Sequence, residues 1–128
     1  MLKRAKSAFT SERRDAGPIE WEGGQMSRTQ WVKTFTGDLS GDSTVEAIMA
    51  GLDNGGPSIY VGIERIRGEL NGLQGSFVLL HAASMHGGVQ TTAWTIVPGS
   101  GTGDLAGIRG RGEILPGHEF VLEYEIEG

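Results

Sequence analysis

The pattern Gly-[Asp/Glu]-Leu-x-Gly occurs three times: Gly37-Asp38-Leu39-Ser40-Gly41, Gly68-Glu69-Leu70-Asn71-Gly72 and Gly103-Asp104-Leu105-Ala106-Gly107. Each copy stands where one β-type stretch ends and another begins. Turns recurring between strands imply a meander of antiparallel hairpins, and a long enough meander closes on itself. Two strands and two turns fill each interval, so the three copies are expected at one end of the sheet. The residues between the copies are dissimilar, which argues against a solenoid.

The 128 residues suit a single domain spanning 1–128. Glycine, at 22 positions against only 4 prolines, is read as supplying turns and bends in an all-β chain. With no cysteine, disulfides, thiolate metal sites and cysteine nucleophiles are excluded, and a cytoplasmic location is expected. The net charge of −5 disfavours nucleic acid as a partner. No apolar run approaches the ~20 residues of a membrane span, and Met1-Leu2-Lys3-Arg4-Ala5-Lys6 lacks the apolar core of a secretory signal.

Strands are expected over 2–13, 27–39, 44–51, 58–69, 75–85, 89–97, 108–115 and 119–127, about eight in all. The last is the clearest: Phe120, Leu122, Tyr124 and Ile126 alternate with an acidic face. Residues 14–25 lack alternation and read as a loop carrying Trp21 over the core or a barrel mouth. The run Phe77-Val78-Leu79-Leu80-His81-Ala82-Ala83 is apolar on both parities, so both of its faces are expected to be covered. The outer one, with Val78, Leu80 and Ala82, would lie under a loop, the N-terminal arm or a second subunit. The fold expected is a closed eight-stranded antiparallel meander β-barrel, lipocalin-like in outline.

Gly101-Thr102-Gly103-Asp104-Leu105-Ala106 matches the dinucleotide fingerprint G-x-G-x-x-A, but Gly107-Ile108-Arg109-Gly110-Arg111-Gly112 is too glycine-rich to be the helix that must follow. No P-loop lysine and no serine-hydrolase elbow is present. His81, His86 and His118 show no zinc spacing, so neither a metal nor another cofactor is expected. His86 and His118 stand beside turns and read as solvated.

His81 shares parity with Phe77 and Leu79 in the most apolar strand. It is either a satisfied buried histidine or a general base in a cavity. Glu64 alternates with Tyr60 and Gly62 and is either an inward carboxylate or a surface residue paired with Arg65 or a neighbouring lysine. If buried it needs a partner, and His81 one strand on could serve. Glu46 is a weaker case of the same kind. A Glu–His pair in an apolar cavity can act as acid and base. The candidate catalytic residues are therefore Glu64 and His81. Tyr60, Trp94, Phe77 and Arg109 are the candidate ligand contacts; Arg109 and Arg111, on one parity, are either an anion attractor at the mouth or ordinary outward charge.

Thr34-Phe35-Thr36-Gly37-Asp38-Leu39, Gly62-Ile63-Glu64-Arg65-Ile66-Arg67-Gly68, Gly75-Ser76-Phe77-Val78-Leu79 with His81, and the stretch Trp94-Thr95-Ile96-Val97-Pro98-Gly99-Ser100-Gly101-Thr102-Gly103-Asp104-Leu105 together resemble a bacterial family of uncharacterised small proteins in the allene oxide cyclase barrel-like superfamily. The resemblance covers about 5–125. It implies the closed eight-stranded barrel and singles out Glu64, Arg65, His81 and Trp94. By analogy with cousins that steer ring closure of a reactive apolar substrate, it suggests a cyclase or isomerase. Two functions are thus expected. The first is a cavity enzyme or binder for a small apolar molecule, with a cavity of roughly 300 Å³ or more. The second is a non-catalytic carrier or an oligomeric structural barrel with a filled interior. A homo-oligomer is expected in either case.

Overall fold

The computed structural model describes residues 2–127. Nine strands form one antiparallel sheet: β1 (Lys3–Asp15), β2 (Ile19–Trp21), β3 (Gly24–Gly37), β4 (Leu39–Leu52), β5 (Ser58–Leu70), β6 (Leu73–His86), β7 (Val89–Ile96), β8 (Ile108–Leu115) and β9 (Glu119–Ile126). Neighbours in the sheet follow chain order from β2 to β9, and β1 closes the ring. Its first half pairs with β9, from Lys3 opposite Tyr124 to Ala8 opposite Glu119. Its second half pairs with β3, from Ser7 opposite Gly37 to Asp15 opposite Thr29. Eight long strands make the closed barrel, and β2 is a three-residue addition to β3.

The expected loop over 14–25 is therefore corrected. β1 runs on to Asp15, and Trp21 sits in β2, partly exposed against the backbone of Gly24. Strand length here is set by the pairing of β1 with β3, which local alternation does not reveal.

The three repeated turns lie together at one end. Their leucines, Leu39, Leu70 and Leu105, are all buried in one cluster with Phe35, Ile66, Phe77, Leu79, Ile96, Ile108, Phe120, Leu122 and Tyr124. The repeat thus places one apolar plug per hairpin into the barrel floor. The turns also bond to one another: Asn71 N–H donates to the Asp38 carbonyl at 2.8 Å, and Gln74 N–H donates to Asp104 Oδ2 at 3.1 Å. Asn71-Gly72 takes positive φ at both positions, 48° and 88°, as a two-residue hairpin turn of matching twist requires. Gly41 and Gly68 face each other across β4 and β5, where a Cβ on either would strike the opposing backbone.

The third copy opens with a three-residue 3-10 turn, Gly103–Leu105, and passes directly into β8. No dinucleotide-binding helix follows, as the glycine content of 107–112 implied.

Packing differs between the two ends. The floor half is filled by the cluster above, so that half of the interior is solid. At the other end β8 and β9 stop short. β7 pairs with β8 only at Trp94 opposite Gly112 and Thr95 opposite Arg111, so the wall is notched beside Trp94.

Outside, the apolar face of β6 is open at Leu80 and Ala82. Leu80 is exposed, and it adjoins the exposed Ile48, Ile59, Val61 and Ile63 of β4 and β5. The loop after β7 reaches β6 at the floor end, where Val97 N–H donates to the Val78 carbonyl and Val78 N–H to Ser100 Oγ, and Val78 is half-buried there; β1 is committed to closing the barrel.

Candidate functional site

Between the solid floor and the notched mouth lies a polar belt. Five successive strands each contribute one inward side chain to it: Lys33 from β3, Ser43 from β4, Glu64 from β5, His81 from β6 and Trp94 from β7. Lys33 stands opposite Ser43 in register, and His81 opposite Trp94. Glu64 and His81 are diagonal neighbours, since Gly62 faces His81 and Glu64 faces Leu79. Period-2 alternation on each strand turns these residues inward at one level of the barrel.

Glu64 is the hub. It is 1% exposed, and His81 is 2% exposed. His81 Nε2 lies 2.7 Å from Glu64 Oε1, Ser43 Oγ donates to Oε2 at 2.5 Å, and Lys33 Nζ stands 3.5 Å from Oε1. Burial pushes the Glu64 carboxyl pKa up. The hydrogen bond from His81, the charges of Lys33 and His81, and the Ser43 hydroxyl outweigh that and hold it below its ordinary value of 4.5. Glu64 is therefore a carboxylate, which only accepts, so His81 Nε2 carries the proton between them.

The other imidazole nitrogen faces outward along the same line. His81 Nδ1 lies 3.1 Å from Tyr60 Oη. A neutral ring has a lone pair at Nδ1 to accept from the Tyr60 hydroxyl, and a charged ring donates Nδ1–H to Tyr60 Oη. Desolvation, reinforced by the negative charge of Glu64, pushes the Tyr60 pKa up to about 12, so the phenol keeps its proton.

Above the belt is a cavity of about 250 Å³ walled by Phe9, Trp31, Tyr60, Trp94 and Ile114, with Lys33, His81, Ser11 and His118 at its edges. The His118 ring stacks on Phe9 at 5.2 Å, and His81 meets the edge of Trp94 at 5.5 Å. Trp94 Nε1 is buried without a hydrogen-bond partner among the described residues. Tyr60 is shared with a second, wider hollow of about 440 Å³ at the mouth, where Met26, Met49 and Met85 line the wall.

The sequence-derived candidates divide on this geometry. His81, Tyr60 and Trp94 line the cavity together. Glu64 is buried and paired with His81 as expected, yet it lies beneath the cavity floor; both of its oxygens are occupied by protein groups. Phe77 is corrected from ligand contact to floor: it is fully buried in the core cluster, one hairpin level below the belt. Of the two positions considered for Arg109, the mouth and the outer surface, the structure gives the surface. Arg109 lies on the outer face at the floor end, exposed and paired with Glu127 at 2.5 Å. Arg111 pairs outside with Glu123. Glu46 points outward to Gln30 and Arg28.

Lys33, Ser43 and Phe9 were not singled out from sequence. Lys33 alternates with Trp31 and Phe35, and a lysine on an apolar parity was the available signal. His118, read as solvated, is exposed but also walls the cavity. Among the described residues no group of three or more potential ligands is placed to hold a metal ion, and no helix is long and apolar enough to cross a membrane.

Fold and site together define a small antiparallel β-barrel with a plugged floor, a buried carboxylate–imidazole–phenol line and an aromatic cavity above it. The family model described as "Protein of unknown function (DUF3224)" matches residues 5–127. The chain belongs to that family. A crystal structure of a protein of unknown function from the DUF3224 family of Shewanella oneidensis MR-1 is similar over 100% of this chain and 99% of the other, with 29% identity and a TM-score of 0.87. No curated protein matches the chain.

Proposed function

We propose that this protein is a cavity enzyme, an isomerase or cyclase that binds a small, mostly apolar molecule beside Tyr60 and moves a proton on it, in a barrel of the allene oxide cyclase-like kind. The observation that carries this reading is the unbroken line Glu64–His81–Tyr60, which starts at a buried carboxylate and ends at the wall of an aromatic cavity. A buried network of this kind is costly unless it is fully bonded. Core packing alone would be served by apolar residues, as in the floor.

In the reaction, an acidic C–H or O–H of the substrate gives its proton to Tyr60 Oη while the Tyr60 proton passes to His81 Nδ1. The imidazolium so formed is held by the Glu64 carboxylate. Return of a proton by the same path to a different atom completes an isomerisation, and confinement by Trp31, Trp94 and Phe9 selects the folded shape that a ring closure needs. Because free Tyr60 phenolate is disfavoured, the proton passes through Tyr60 without resting there. The inner cavity of about 250 Å³ is smaller than the expected minimum, and the adjoining hollow of about 440 Å³ extends the space available.

The test is a thermal-shift screen of small conjugated ketones and enols, followed by NMR of each hit in D2O. Exchange of the hit's acidic hydrogens, catalysed by the protein and lost in His81→Gln, is the expected result. Hits that bind equally well to His81→Gln and never exchange make the protein a carrier instead.

A separate observation favours self-association. In register across β4, β5, β6 and β7, the outer face carries the rows Ile48–Val61–Ala82–Ala93 and Glu46–Ile63–Leu80–Thr95. Its aliphatic members Ile48, Val61, Ile63 and Leu80 are 42–56% exposed. A contiguous face of this kind suits a second copy of the same chain, as a homo-oligomer of either functional type would use.

A further inference from the structure

We infer that the cavity selects a planar aromatic or conjugated carboxylate, with its oxygens seated on Lys33 and within reach of Trp94 Nε1; this deepens the cavity reading above and rests on it. Two residues of the cavity wall, Lys33 and Trp94, carry buried donors that the protein itself does not fully satisfy. Lys33 is 7% exposed and lines the cavity. An ammonium has three N–H donors, yet among the described residues its polar contact is Glu64 Oε1 at 3.5 Å, the outer limit of a hydrogen bond. That oxygen already receives His81 Nε2 at 2.7 Å, and Ser43 occupies its partner. Lys33 thus shares the Glu64 carboxylate with His81 and Ser43 through one long contact, and its remaining N–H donors have no acceptor among the described residues.

The Lys33 ammonium lies 4.9 Å from the centre of the Phe9 ring, a contact that partly offsets burial but accepts no directed hydrogen bond. Trp94 Nε1 adds a second buried donor with no acceptor. Unpaired buried donors are destabilising, and a ligand with two acceptor oxygens on one rigid carbon would relieve both. Arg13 lies over the Trp31 ring at 5.5 Å with its Nε paired to Asp15 at 2.8 Å, but it is exposed and does not line the cavity. Lys33 is therefore the cation that faces the cavity. The walls specify the rest of the molecule. Phe9, Trp31, Tyr60, Trp94 and the His118 ring present flat apolar surfaces that favour a planar partner. A cationic ligand is excluded from the same aromatic box by Lys33 itself.

The experiment compares cinnamate with its neutral isostere cinnamamide, titrated into the full chain at constant ionic strength and followed by calorimetry. Cinnamate is expected to bind roughly tenfold or more tightly than the amide, as a charge-assisted hydrogen bond in a dry site gives. In Lys33→Met, which keeps the stem and removes the charge, the two are expected to bind alike. Equal binding of acid and amide to the unaltered protein overturns the inference while leaving the cavity reading intact. Binding of neither removes both. A preference for the acid that survives in Lys33→Met places the anion elsewhere and also overturns the inference. Should Lys33→Met fail to fold, Trp94→Phe serves: it is expected to weaken cinnamate by several-fold, and unchanged affinity there counts against the seat described.

Discussion

His81 Nε2 and Glu64 Oε1 lie 2.7 Å apart on adjacent strands, both almost wholly shielded from water. Neither residue could be buried alone at tolerable cost. Glu64→Ala removes the acceptor for His81, Ser43 and Lys33 at once, and a loss of about 3–5 kcal/mol of stability is expected. Urea denaturation measures it; a loss under about 1 kcal/mol would mean the pair is solvated in solution.

Acid stability should carry the signature of Glu64. Its folded pKa lies below the ordinary 4.5. The unfolded chain therefore takes up this proton first as pH falls. The stabilisation is complete above about pH 4.5 and is lost progressively below it, toward the lower folded pKa. Glu64→Gln is expected to flatten that part of the pH–stability curve. Parallel curves for the two proteins would contradict the assignment.

Tyr60 should titrate late. Its pKa is pushed up to about 12 by burial and by the charge of Glu64, so its contribution to stability is present below about pH 10 and lost as pH rises toward 12. The ultraviolet phenolate signal of the native protein minus that of Tyr60→Phe should rise near pH 12. A difference signal centred near pH 10 would show the hydroxyl to be open to water.

The floor is a packing device with a measurable cost. Leu70→Ala opens a cavity at the convergence of the three repeated turns and is expected to cost about 2–5 kcal/mol. Gly41→Ala should cost about 1–3 kcal/mol for a different reason, since its Cβ would strike the carbonyl of Arg67 and the Cα of Gly68. A neutral result at Gly41 would mean that β4 and β5 separate more easily than their register implies.

Ile63→Lys places a charge at the centre of the exposed outer face. If two copies meet there, light scattering should show the mass fall to that of one chain with unchanged circular dichroism. The unaltered chain running as a monomer across all concentrations would leave the face without that role.

Much of the fold was legible because its code is local. Alternation fixed which parity of β9 turned inward, and the repeated turn marked where hairpins reverse. Glu64 and His81 could be paired because they sit on inward parities of consecutive strands, where register brings diagonal neighbours together. β2 was missed because pairing, not composition, makes a strand of Ile19–Trp21. Lys33 was missed because a lysine between Trp31 and Phe35 looks the same in sequence whether its stem reaches solvent or is enclosed by Phe9.

The amino-acid sequence by itself determined an all-β meander, the single end at which its three glycine-framed leucines gather, and the shared parity of Tyr60, Gly62 and Glu64 on β5. These follow from turn chemistry and from a two-residue period, both properties of short stretches of chain. Only the tertiary structure decided the level at which each inward residue stands. Ring closure by β1 sets the height of every strand relative to its neighbours. That stagger buries Phe77 in the floor, turns Arg109 outside, hides Glu64 beneath His81 and leaves Tyr60, Trp94 and Lys33 at the wall of the cavity.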